Sequence, residues 1–177
     1  MKILLDRDDV NPNSVSEHGQ TPLFAAAQDG HERVVKMLLE RVDVNPNIAD
    51  RHDQTPLFTA AWEAHEGVVK ILLDRNDVNP NSVSKHGKTP LFVAARNGHK
   101  RVVKTLLARV GVNPDIMDID GHTALSQALK RGHDDVVELL SEHRSSIAPL
   151  NINGYTALPS SVQSDPNQRP SKRLRRF

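Results

Sequence analysis

Apolar and polar positions fall along this chain in short blocks with helical spacing. After Thr21 and Pro22, Leu23, Ala26 and Ala27 stand at i, i+3 and i+4, one face of a short helix. Thr21 can accept a backbone N–H as an N-cap, and Pro22 sits at the first helical position, where its missing N–H costs nothing. Gly30 is placed to take the left-handed conformation that ends this helix. A second helix is predicted from about Glu32 to Arg41. Val34, Val35, Leu38 and Leu39 form its apolar face, and Lys36 and Glu40 point outward. Asp43-Val44-Asn45-Pro46-Asn47 is turn chemistry. Isolated helices shorter than ~12–15 residues are marginal in water, so each pair must bury its face against another pair.

The block recurs in phase. Thr21, Thr55, Thr89 and Thr123 are each 34 residues apart. Gly30, Ala64, Gly98 and Gly132 keep the same step, as do His31, His65, His99 and His133. The pairs Val34-Val35, Val68-Val69, Val102-Val103 and Val136-Val137 follow. A fixed period of this length predicts an all-α solenoid of stacked helix-turn-helix units with projecting loops. Three units are regular, over residues 21–54, 55–88 and 89–122. A degenerate fourth covers 123–155: Pro is lost after Thr123, and Ser141 stands where Leu39, Leu73 and Leu107 stand. Residues 1–20 form a partial N-terminal repeat, since Lys2-Ile3-Leu4-Leu5-Asp6 aligns with Lys70-Ile71-Leu72-Leu73-Asp74. Residues 156–177 hold an aborted repeat, stopped at Pro159, and a basic tail whose Pro, Ser and Gln content reads as disordered. Both ends are expected to fray.

The residues Gly-x-Thr-Pro-Leu-x-x-Ala-Ala-x-x-Gly-His-x-x-Val-Val-x-x-Leu-Leu, followed by Asp-Val-Asn, resemble the ankyrin repeat over roughly residues 2–158. The Asn-Pro-Asn turn is similar in style to the long ankyrin arrays common in filamentous fungi. The resemblance implies a curved stack and a non-enzymatic scaffold that meets a protein partner. It also implies that the His at the start of each second helix supports the turn through hydrogen bonds. Two departures stand out. Phe24, Phe58 and Phe92 replace the family's usual His, so apolar packing replaces a polar network. The loop after Asp-Val-Asn is longer than the family pattern, so the projecting loops are expected to be less regular than a tight hairpin.

In the family, partners are met by loop tips and by the exposed side of the first helix. Carried over unit by unit, these positions are Glu17, His18, Gln20, Gln28 and Asp29, then Arg51, His52, Gln54, Trp62 and Glu63. They continue with Lys85, His86, Lys88, Arg96 and Asn97, and end with Ile119, Asp120, His122, Lys130 and Arg131. The side chains at these steps vary while the scaffold stays constant, and charge shifts from mixed and acidic toward basic along the array. Trp62 is the sharpest candidate, because interface hot spots are enriched in Trp. The plain alternative is that Trp62 packs on Arg96 as a cation–π pair.

Composition narrows the chemistry. Aromatics are only 3%, consistent with thin layers of Ala, Val and Leu. There is no Cys, so disulfides and thiol chemistry are excluded. Nine His could suggest metal. Equivalent residues in stacked helices, however, lie about 8–10 Å apart, whereas zinc needs nitrogens at ~2 Å. No phosphate-binding loop, His-Glu-x-x-His or nucleophile elbow occurs. No catalytic, cofactor or metal site, no small-molecule substrate and no membrane span is therefore expected, and the chain reads as monomeric. Five of the 23 basic residues lie at 169–177, leaving 18 against 22 acidic residues in the rest of the chain, which argues against nucleic-acid binding. Within that tail, Lys172, Arg173, Arg175 and Arg176 read as a short nuclear-import signal, against the alternative of a solvated tail. An intracellular location, cytoplasmic and through the tail nuclear, follows. The competing view is a fragment of a larger multidomain ankyrin protein whose other domains carry an enzymatic or signalling activity.

Overall fold

In a computed structural model the described residues are 11–147. They form eight helices and no strand: α1 Pro22–Gln28, α2 Glu32–Leu39, α3 Pro56–Trp62, α4 Glu66–Leu73, α5 Pro90–Arg96, α6 Lys100–Leu107, α7 Ala124–Arg131 and α8 Asp134–Ile147. First helices pack on first helices (α1 on α3, α3 on α5, α5 on α7), and second helices stack beside them in the same order. The expected nuclear-import residues, the aborted fifth unit and the first half of the partial N-terminal repeat lie outside the described residues.

Each first helix starts as its residues dictate. Thr21 Oγ1 accepts from Phe24 N at 3.1 Å, Thr55 from Phe58 at 3.3 Å and Thr89 from Phe92 at 3.1 Å. In the fourth unit Ser126 replaces Phe. It completes a capping box, receiving the Thr123 N–H at 2.9 Å while its own N–H reaches Thr123 Oγ1. Leu23, Leu57 and Leu91 are each 1% exposed, and the three Phe at the following position are 1–2% exposed. Burial of each such side chain stabilises by roughly 1.5–3 kcal/mol. Phe at this position is thus core, as the departure from the family pattern predicts. The small Ala60, Ala61, Ala94 and Ala95 are fully buried, which lets neighbouring first helices approach closely.

The projecting loops are more regular than expected. The tips 16–20, 50–54, 84–88 and 118–122 adopt one tight turn. The N–H of Ser16, Asp50, Ser84 and Asp118 bonds to the carbonyl four residues on, at 2.9–3.0 Å, and the carbonyl of the same residue accepts the N–H three residues on. The side chain opening the turn fills its interior: Asp50 Oδ1 accepts from His52 N and Gln54 N at 2.8 and 2.9 Å. Asp118 does the same for Asp120 and His122, and Ser16 for His18 and Gln20. Successive tips are joined by Arg51 N to His18 O, Lys85 N to His52 O and Ile119 N to His86 O, at 3.0–3.2 Å. The extra length of the unit is absorbed before the tip, at Asn-Pro-Asn.

Those asparagines form a ladder along the stack. Asn13, Asn47 and Asn81 each donate from Nδ2 to a carbonyl of the following unit (Asp43, Asp77 and Gly111) at 2.6–2.7 Å. Each accepts at Oδ1 from the N–H of Asn45, Asn79 or Asn113 at 2.8–2.9 Å. The first Asn of each motif closes an Asx-turn onto the third residue, at 2.9–3.0 Å. One primary amide carries both a donor and an acceptor, so a single side chain satisfies two backbone groups of its neighbour. The ladder stops at Asp115, whose carboxylate has no donor and instead lies 3.5 Å from Arg144 Nε. Arg144 belongs to α8, which runs on to Ile147 because the fourth unit lacks the turn residues that end α2, α4 and α6.

Candidate interaction face

The loop tips and the exposed sides of α1, α3, α5 and α7 carry every position expected to meet a partner. Arg51, His52, Glu63, Lys85, His86, Lys130 and Arg131 are exposed, and Gln54, Lys88, Arg96 and Asn97 are half-buried. In the first unit Glu17, His18, Gln28 and Asp29 are exposed and Gln20 is half-buried. In the fourth, Ile119 and Asp120 are exposed and His122 is half-buried.

What positions this face is the histidine at the start of the next second helix. His65 Nε2 lies 3.0 Å from Gln28 O, His99 Nε2 2.9 Å from Trp62 O and His133 Nε2 3.0 Å from Arg96 O. A carbonyl can only accept, so Nε2 carries the proton. Each ring thus ties the last residue of one first helix to the following unit. Its side chain makes no cap bond to its own helix, and the turn it supports through hydrogen bonds is that of the preceding unit. The side chains of the clamped residues differ from unit to unit: Gln28, Trp62 and Arg96.

Gly30 and Gly98 serve the clamp in two ways. Both have positive φ, 70° and 73°, and a Cβ at either would meet the next His ring at 2.6–2.7 Å. Ala64 occupies the same step with φ 63°. The left-handed conformation expected from its alignment with glycine is therefore present, and its methyl group stands where the His99 ring approaches. A second departure, not anticipated from the sequence, is Asp53 with φ 58°, at the step of Gly19, Gly87 and Gly121 in the loop tips. Both left-handed positions flanking α3, Asp53 before it and Ala64 after it, are thus held by residues other than glycine.

Trp62 is 38% exposed and stacks on Phe58, one turn earlier in α3, with ring centroids 6.3 Å apart and planes at 24°. The expected cation–π pair with Arg96 is not formed. The i, i+4 spacing of Phe58 and Trp62 on one helix was the available signal for this contact. Asn97 Nδ2 reaches Trp62 O at 3.4 Å, a second tie on the same carbonyl.

The structure brings Lys88, Arg96, Lys130 and Arg131 together. They line a groove of about 580 Å³ between the third and fourth units, with Phe92, Asp118, Asp120, His122, Gln127 and His133. Asp118, Asp120 and His122 put carboxylate and imidazole atoms within 4.8 Å of one another, a juxtaposition missed in the sequence. Asp118 Oδ1 already accepts two backbone N–H groups there, which accounts for its burial as a turn residue. A separate groove of about 860 Å³ lies on the second-helix side, where Glu66 pairs with Lys70 at 3.0 Å. In the turns after α2 and α4, hydrogen-bonded Arg41 and Arg75 hold the Asp43 and Asp77 carboxyls below the usual range.

The family model for ankyrin repeats in three copies matches residues 1–83, 50–118 and 91–169, and this chain belongs to the ankyrin-repeat family. Ankyrin repeats are generally protein-interaction modules, and the family is typically non-enzymatic. No individual curated protein matches the chain. Among the described residues, no helix is long and apolar enough to cross a membrane.

Proposed function

We propose that this protein is a monomeric, non-enzymatic intracellular scaffold that binds a protein partner through its loop tips and the exposed sides of its first helices. One observation carries the reading. Gln28, Trp62 and Arg96, which differ from unit to unit, are each fixed at the carbonyl by the recurring His, so varied side chains are displayed on a constant frame. A frame already ordered before binding loses little conformational entropy on association. Trp62 is the anchor at the middle of this face, flanked by Arg51, His52, Gln54 and Glu63, with Lys85, His86, Lys88, Arg96 and Asn97 beside it and Lys130 and Arg131 at the basic end.

The test is photo-crosslinking in cell extract from a benzophenone side chain placed at position 63, with Lys70 on the opposite side as a second attachment site. A discrete adduct from position 63, lost in Trp62→Ala/Arg96→Ala, is the expected result. Adducts formed equally from both positions, and unaffected by the double substitution, would show that the first-helix face is not the binding surface.

A further inference from the structure

We propose that the groove between the third and fourth units recognises an acidic peptide segment of the partner. This rests on the interaction reading above and adds the chemistry of what is bound. Lys88 and Arg96 from one unit and Lys130 and Arg131 from the next converge on a single cavity. Among the described residues none of these four side chains has a carboxylate within ion-pairing distance, whereas Arg41, Lys70, Arg75 and Lys100 each do. Two carboxylates line the groove. Asp120 is exposed at the loop tip and forms no ion pair with the four cations among the described residues, and Asp118 is turned to its own loop, accepting from Asp120 N and His122 N with its side chain 2% exposed. Against four cations, Asp118 is a poor competitor and Asp120 offsets only one charge.

Comparison with the equivalent grooves shows that this charge belongs to one end of the array. One unit earlier the corresponding residues are Gln54, Trp62, Arg96 and Asn97, and one earlier still Gln20, Gln28, Trp62 and Glu63. Only the last groove gathers four cations. Its floor differs too. Gln127 replaces the Ala25, Thr59 and Val93 of the other units. It is 7% exposed and makes no side-chain hydrogen bond among the described residues, yet no buried side-chain N or O lacks a partner, so its amide reaches the groove. An amide offering one acceptor and two N–H donors complements the carbonyl and N–H of a peptide backbone.

Carboxylates fit better than a phosphate backbone. Glu17, Asp29 and Glu63 lie on the same face toward its other end, and outside the tail acidic residues outnumber basic ones by 22 to 18. A long polyanion laid along the face would be repelled there, while a short acidic segment at one end would not.

A random dodecapeptide display library selected on the full chain at physiological salt tests this. Sequences rich in Asp and Glu should be enriched and should bind more weakly as salt rises. Their affinity should fall roughly 10- to 30-fold in Lys88→Gln/Arg96→Gln/Lys130→Gln/Arg131→Gln. It should stay within about twofold in Lys70→Gln/Lys104→Gln on the opposite side. If the fourfold variant melts early, Lys130→Gln/Arg131→Gln, at two exposed positions, should still show a loss of about fivefold. Selection of neutral or basic peptides that depend on Trp62 would overturn the acidic assignment while leaving the interaction reading intact. So would a single-stranded oligonucleotide that binds tighter than the selected peptides through the same four residues. Self-association of the chain that disappears in the fourfold variant would assign the groove to a second copy instead. Failure to select any peptide would count against both readings.

Discussion

The second and third units share their backbone path but not the residues that usually specify it. The two left-handed positions flanking α5 of the third unit are Gly87 and Gly98; those flanking α3 of the second are Asp53 and Ala64, the first of each pair lying in the loop tip just before the unit. The turns are the same because neighbours dictate them. The tip around Asp53 is held by Asp50 Oδ1 and by the bond from Lys85 N to His52 O, and the helix end around Ala64 by His99 on Trp62 O. Glycine lowers the local cost of such a turn, but contacts across the stack decide that the turn forms.

This contrast can be broken from either side. The largest effect is expected where both units depend on one side chain. Asn81→Ala removes the bonds to Gly111 O and from Asn113 N. At about 0.5–1.5 kcal/mol per bond, it should destabilise by about 1–3 kcal/mol in denaturant unfolding. Retained stability would mean that the ladder is incidental. Next is Gly98→Ala, which gives the third unit the second unit's residue. Positive φ alone costs about 1–2 kcal/mol, and the added Cβ must also push the His133 ring aside. The reverse change, Ala64→Gly, should raise the melting temperature by roughly 3–5 °C for a gain near 1 kcal/mol. A fall would show that the methyl group has a favourable contact of its own.

The smallest effect concerns the turn after the second helix, where the second unit has Arg75 with Asp77 and the third has Arg109 with Gly111. The Asp77 pKa is lowered in the folded state by its hydrogen-bonded Arg75. Its contribution is therefore present above the ordinary Asp pKa of about 3.9 and lost as pH falls through the lower folded value. The difference in melting temperature between wild type and Asp77→Asn should accordingly be constant near neutral pH and shrink as pH falls below about 3.9. A difference still constant below that pH would remove the charge as its cause.

The period, the helices and their Thr-Pro starts were legible in the sequence because each rests on local chemistry: apolar spacing, an N-cap, a proline ring. That the loop-tip and first-helix positions carried over from the family resemblance reach the surface followed from the same helical spacing. The partner of the clamping His and the Asn ladder were not legible, because their bonds join residues 30 to 37 positions apart. The regular tips escaped notice although their bonds are local, because the longer loop reads as one polar stretch unless it is split into an Asn-Pro-Asn turn and a five-residue tip. A signal for the ladder existed: Asn13, Asn47 and Asn81 are in phase with the Thr markers. Reading them as turn residues explained their presence one unit at a time and left the phase without a role. Asp53 escaped notice because Asp tolerates the left-handed region and looks ordinary in a polar loop.

In the language of polymer growth, Asn13, Asn47 and Asn81 are propagating ends, each offering the next unit the amide its backbone needs. Asp115 is a terminating residue, since a carboxylate has no N–H to hand on. A unit duplicated within residues 21–88 therefore inherits matched joints on both sides. The fourth unit itself therefore follows a carboxylate where the earlier units follow an amide donor, and a regular unit grafted after residue 122 would need Asp115→Asn to inherit the joint.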